Sequence, residues 1–174
     1  MASSRFRGRH YRTGEVVEVA AEDGRIAAIE PIQGAEDGLW IASGLIDVQV
    51  NGFAGIDLNA DSVTPDDVSA MVRALWSAGV TLCCPTITTG SAERMLRSLR
   101  AVAAAVEADP SARRGVVGIH VEGPYISPED GPRGAHPLEH VRPPDLDEYR
   151  RFQEASAGGS GYSASPPSCR APSR

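Results

Sequence analysis

The sequence is poor in cysteine, in aromatic residues and in long apolar runs. Three cysteines do not make a disulfide framework. Two of them, Cys83 and Cys84, stand side by side in an apolar run and read as buried thiols in a reduced, cytoplasmic protein. No apolar run approaches the ~20 residues a membrane span needs, so no membrane partner is expected. The net charge of −6 and the lack of a basic stripe argue against a nucleic-acid surface. The one basic cluster is the opening MASSRFRGRH. It lacks the apolar core of a signal peptide and reads as a ragged terminus. What is present is ordinary for a soluble globular chain. Over 174 residues, 41% are hydrophobic and 23% charged, about one domain by length.

The pattern along the chain alternates. Residues 14–30, GEVVEVAAEDGRIAAIE, read as two short strands around Asp23-Gly24, a strong hairpin signal. Residues 31–40 read as loop with room for one more short strand. GLIDVQVNG (44–52) places Leu45, Ile46, Val48 and Val50 on both faces, as in a buried parallel strand. Thr64 then caps a helix with Pro65 at its first position and Asp66 and Asp67 at its positive end. Val68, Met71, Val72, Leu75 and Trp76 recur at helical spacing, and Gly79 stops the helix. VTLCCPTIT (80–88) is a second buried strand. Ser91 caps a second helix to about Glu107, with Met95, Leu96, Leu99, Val102 and Val106 inward. GVVGIHVEG (115–123) is a third strand, and Leu146–Ala155 opens another helix. Such alternation means right-handed βαβ units and a parallel sheet, with functional groups at the carboxyl ends of the strands. Asn51, Thr88 and Glu122 fall at such ends.

GIHVEGPYISPEDGPRGAH (118–136) carries the chemistry. A carboxylate at the end of a buried strand is costly unless something satisfies it. Glu122 is therefore either a metal ligand or acid–base group, or a strand-end side chain bound to backbone N–H groups or a structural Arg. His120 lies two residues earlier and shares its face; alone, it reads equally as a core imidazole. His136 sits in a loop rich in Gly and Pro, where a solvated imidazole is the plain alternative. Asp47, Gln49 and Asn51 alternate along one face of their strand, as structural hydrogen-bonders or as site residues.

Taken together and in this order, GLIDVQVNG and GIHVEGPYISPEDGPRGAH resemble the amidohydrolase superfamily, and within it the N-acetylglucosamine-6-phosphate deacetylases. The resemblance covers about residues 14–155. It implies an α/β fold, the N-terminal part of a (β/α)8 TIM barrel preceded by part of a small β-sandwich. The expected organisation is sandwich over 1–43, barrel units over 44–157 and an irregular tail over 158–174. It implies that Glu122 matches the metal-binding Glu and that Ala135 and His136 match the pair contacting the amino sugar. Gln49 and Asn51 replace the His-x-His of many superfamily members, a version that goes with loss of one metal site. It also implies a divalent metal of the Zn²⁺ class, an amino-sugar phosphate as the small-molecule partner, and a cytoplasmic homo-oligomer at full length. A zinc-class ion polarises the amide carbonyl and acidifies water, while an Asp moves the proton. That Asp and two metal-binding His lie later in the family pattern, so no catalytic residue is assigned here. Dihydroorotase-like or adenine-deaminase-like activity, or a non-catalytic remnant, are the alternatives.

A (β/α)8 barrel takes roughly 250 residues, and three barrel strands cannot close one. Apolar faces and a sheet edge should stay uncovered. After Ala157 the composition turns to Gly, Ser and Pro, which reads as disorder. With TCN serine codons, shifting the frame back by one base makes Ser160, Tyr162, Ser163 and Ser165 apolar. Any TCN-rich tail does this, so the tail reads as the product of a frameshifted or truncated gene or, alternatively, as the flexible tail of a natural short protein; the chain is expected to be inactive alone.

Overall fold

A computed structural model describes residues 3–34 and 38–156. The expectation of an irregular tail over 158–174 lies outside the described residues. The chain divides into two compact units, Met1–Ser43 and Gly44–Arg174.

The first unit is a four-stranded sheet in the order β3-β2-β1-β4, built from β1 (Ser3–His10), β2 (Val16–Glu22), β3 (Arg25–Pro31) and β4 (Trp40–Ile41). The β2–β3 hairpin turns at Asp23 and Gly24, both at positive φ (48° and 77°), as the strand twist favours. From Ser3 onward the opening is not ragged. β1 pairs antiparallel with β2 from Ser3↔Glu22 to Arg9↔Val16. Arg5 and Arg7 project from one face of β1 onto Glu18 of β2. The basic cluster that looked like a solvated arm is thus a strand whose charges are met across the ladder.

The second unit holds β5 (Leu45–Val50), β6 (Gly52–Phe53), β7 (Ile56–Asp57), α1 (Pro65–Ser77), β8 (Val80–Thr88), α2 (Ala92–Ala108), α3 (Pro110–Gly115), β9 (His120–Glu122) and α4 (Leu146–Ala155). Its main sheet is parallel, in the order β5-β8-β9. Thr64 caps α1 in a reciprocal capping box with Asp67, and Ser91 caps α2; such caps contribute about 1 kcal/mol each. The core joins Val68, Met71, Val72 and Leu75 of α1 to Met95, Leu99 and Val102 of α2, to Cys83 and Ile87 of β8, and to Phe152 of α4. Burial pushes the Cys83 thiol up to about 12, so it is an inert packing group.

Two expectations change. β9 spans three residues, not the whole of 115–122; α3 ends at Gly115, and Val116 makes only an isolated bridge to Cys83. Opposite it, Pro85 sits mid-strand in β8 without an N–H to give, and the register of β8 is irregular on both sides. On one side the register jumps from Cys83↔Val116 to Thr86↔His120. On the other it jumps from Asp47↔Cys83 to Val50↔Pro85. The second change concerns β5, which is not buried on both faces and instead carries the uncovered apolar face and sheet edge expected of too few barrel strands. Val50 is buried, but Leu45, Ile46 and Val48 are 63%, 58% and 69% exposed. β5 is the edge of the sheet, and among the described residues nothing covers these side chains.

Candidate functional site

β8 and β9 run parallel with Thr88 paired to Glu122, so both strands deliver polar side chains to the same end of the sheet. β5 ends beside them. Asn51, Thr88, Thr89 and Glu122 line a cavity of about 210 Å³ with Ala135, His136 and Pro137 from the following loop. The sequence-predicted Glu122, Ala135 and His136 therefore meet, together with the strand-end Asn51 and Thr88.

Glu122 is held by side chains and not by an Arg. Gln49 Nε2 donates to its Oε2 at 2.9 Å. His136 Nε2 lies 3.5 Å from its Oε1, beyond an ordinary N–H···O bond. His136 Nδ1 meets Thr89 Oγ1 at 2.8 Å, and the same hydroxyl donates to the Glu122 carbonyl at 3.3 Å. Asp47 serves the backbone, its Oδ1 accepting from Gln49 N–H at 3.0 Å. His120 is turned to Thr86 Oγ1, 3.4 Å away, and does not line the cavity.

Two clamps position these groups. The first fixes the end of β8. Arg94 donates to the carbonyls of Thr88 and Thr89 at 2.7 and 2.8 Å, and to Asn59 Oδ1 at 2.9 Å. Asn59 Oδ1 also accepts from Thr88 N–H at 2.8 Å. The second fixes the loop that carries His136. Arg142 grips Glu148 of α4 with two bonds of 2.9 and 2.8 Å, and Tyr125 O–H donates to the same carboxylate at 2.9 Å. Burial pushes the Glu148 carboxyl up, but the bonds from Arg142 and Tyr125 outweigh it and leave the group below its ordinary range. Burial and the Glu148 contact raise the Tyr125 phenol.

Thr89, Arg94, Asn59 and the Glu148 clamp are absent from the sequence reading. Only Thr89 carried a signal, as a hydroxyl residue one step beyond a strand end. The others act across long stretches of chain that no local pattern links.

The donor set at Glu122 is a carboxylate with one imidazole beside it, chemistry that suits a divalent first-row ion. It is not a full cage: among the described residues no group of three or more His, Cys, Asp or Glu is placed to hold a metal.

A carboxylate, an imidazole and amides gathered at the carboxyl ends of a parallel α/β sheet stand where proteins of the α/β class place their ligand and active sites. The relatives make the class specific. N-acetylglucosamine-6-phosphate deacetylase of Bos taurus is 38% identical over 114 residues, 65% of this chain and 27% of that protein. N-acetylgalactosamine-6-phosphate deacetylase of Escherichia coli O157:H7 is 36% identical over 124 residues, 69% of this chain and 31% of that protein. The crystal structure of N-acetylglucosamine-6-phosphate deacetylase from Thermotoga maritima superposes with a TM-score of 0.63 at 31% identity, over 78% of this chain and 34% of that one. No protein-family model matches the chain. The chain is homologous to a part of the N-acetylglucosamine-6-phosphate deacetylases and has the mixed α/β fold of that part. It spans about a quarter to a third of the length of these relatives.

Proposed function

We propose that the chain carries the Glu122-centred part of a metal-dependent deacetylase that removes acetate from N-acetylglucosamine 6-phosphate, and that the chain alone does not complete the site. The observation that carries this reading is the meeting of Glu122 and His136 at the carboxyl end of β8 and β9. Glu122 is the residue that would hold a divalent ion, of the zinc class. Such an ion supplies Lewis acidity at the amide carbonyl. Gln49 orients the Glu122 carboxylate by its bond to Oε2. Ala135 and His136 would contact the amino sugar, with His136 near its acetamido group and its ring beside Thr89 Oγ1. The overall reaction adds water to the amide carbon, breaks the C–N bond and leaves acetate and the protonated amine. Among the described residues no Asp or second Glu lines the cavity, so none of them is placed there to take the proton.

The relatives bear both hexosamine names, so the glucosamine and galactosamine substrates are both to be assayed. The full-length enzyme is proposed to be a cytoplasmic homo-oligomer. Among the described residues no helix is long and apolar enough to cross a membrane. The test uses the gene with its frame restored past codon 157. That protein should bind one metal per chain by elemental analysis and release acetate. Glu122→Gln should lose both while keeping its circular dichroism. Metal content and turnover unchanged in Glu122→Gln would sink the assignment.

A further inference from the structure

We propose that Asn51 and Thr88 are specificity-determining residues of the cavity, their side chains binding uncharged hydroxyl and acylamino groups of the ligand. The proposal rests on the preceding reading of the site and deepens it.

Strand alternation turns both side chains to the cavity. Thr88 is paired with Glu122, and Thr86 with His120, so these four side chains stand on one face. Ile87 and Val121, between them, belong to the core on the other face. The end of β5 repeats the pattern. Val50 is buried in the core. Gln49, whose amide reaches Glu122, and Asn51, which lines the cavity, alternate away from it.

The backbones of the two residues are fixed while their side chains are not engaged. The Asn51 carbonyl accepts from Leu58 N–H at 3.1 Å. Thr88 donates its N–H to Asn59 Oδ1 at 2.8 Å, and its carbonyl accepts from Arg94 at 2.7 Å. The other polar groups of the cavity bond to the protein: Thr89 to His136 and to the Glu122 carbonyl, and Glu122 Oε2 to Gln49. Among the described residues, neither the Asn51 carboxamide nor the Thr88 hydroxyl has a hydrogen-bond partner. They are the polar side chains the cavity holds in reserve for a ligand.

Their chemistry selects the ligand groups. A carboxamide offers two N–H donors and a carbonyl, and a hydroxyl gives one hydrogen and accepts others. Neither is charged, and among the described residues no Lys or Arg lines the cavity. Such a lining suits O–H, N–H and C=O groups, not a phosphate. A few polar groups at fixed positions are what give a small-molecule site its specificity.

The experiment is a ¹H–¹⁵N titration of the labelled 174-residue chain, following the side-chain amide of Asn51, assigned by its loss in Asn51→Ala. N-acetylglucosamine 6-phosphate and N-acetylglucosamine should each shift that amide saturably, and inorganic phosphate should not. Asn51→Ala and Thr88→Val, read from the backbone amides around Glu122, should each raise the Kd about 2- to 10-fold, the span of one hydrogen bond between uncharged groups. No saturable shift with either sugar, the same shift with phosphate alone, or an unchanged Kd in both variants would overturn the proposal. If a variant does not fold, the wild-type titration alone decides. The readout needs neither metal nor turnover. A failed titration leaves the deacetylase reading standing, and a frame-restored enzyme that releases no acetate leaves the titration result intact.

Discussion

Gln49 and Glu122, 73 residues apart in sequence, are joined by a 2.9 Å bond from the Gln49 amide to Glu122 Oε2. The bond ties the edge strand β5 to the end of β9 across β8. It also decides which oxygen of the carboxylate is free. A carboxylate with one oxygen engaged by an amide presents the other, Oε1, to the cavity.

That relationship predicts an order of stabilities. Gln49→Leu removes the donor and should cost about 1 kcal/mol. Gln49→Glu removes it and adds a like charge beside Glu122, so at neutral pH it should cost more. Urea denaturation of the two variants gives the comparison. Equal or reversed midpoints would mean the bond is not made in solution.

The Glu148 clamp predicts an acid dependence. Its folded carboxyl titrates lower than in the unfolded chain, near the ordinary ~4.3. Its contribution is therefore fully present above about pH 4.3 and is lost as pH falls through the folded value. Arg142→Met leaves Glu148, 4% exposed, without its charge partner and should cost about 3 kcal/mol. The variant should also flatten the acid limb of the stability curve. An acid limb identical to the wild type would exclude the clamp as its source.

Gly123→Ala should be among the most harmful single-methyl changes in the chain. The new Cβ meets Thr89 Oγ1 at 1.9 Å in a left-handed backbone, and backbone strain alone costs about 1–3 kcal/mol. Gly131→Ala, also at positive φ but with nothing within 4 Å, bears only the strain. Thermal melts should therefore place Gly123→Ala below Gly131→Ala; the opposite ranking would remove Gly123 from the Thr89 contact.

The uncovered side chains of β5 predict self-association. Ile46 and Val48 are 58% and 69% exposed on an edge strand, which invites pairing with another chain. Sedimentation should show concentration-dependent association that Val48→Lys weakens. A wild-type chain that stays monomeric at high concentration would contradict this.

Much of this was readable from the sequence because the signals were local. Thr64 and Ser91 each announce a helix start, and the helices begin there. Asp23-Gly24 announces the hairpin. The strand-end positions of Asn51, Thr88 and Glu122 follow from alternation, and the cavity unites them. The misses were non-local. β1 needed a partner strand to be visible, and Glu18 supplied it. The shortening of β9 goes with the end of α3 at Gly115 and the register jump against β8, neither of which the apolar pattern of 115–119 announces. The exposure of Ile46 and Val48 was legible only in the number of barrel strands, since a residue's hydropathy does not encode what lies beside β5.

We propose that residues 1–174 hold the Glu122 and His136 portion of a deacetylase site without the groups that finish it. The direct measurement is acetate release from N-acetylglucosamine 6-phosphate by the purified chain with added zinc. A catalytic zinc takes about three protein ligands and an open position, and general base catalysis contributes on the order of 10² to 10⁴ in rate. The chain should therefore release acetate no faster than the buffer and zinc alone. Zinc-dependent turnover near ~1 s⁻¹, within the usual enzyme range, would contradict the account and mean that this chain contains a complete site.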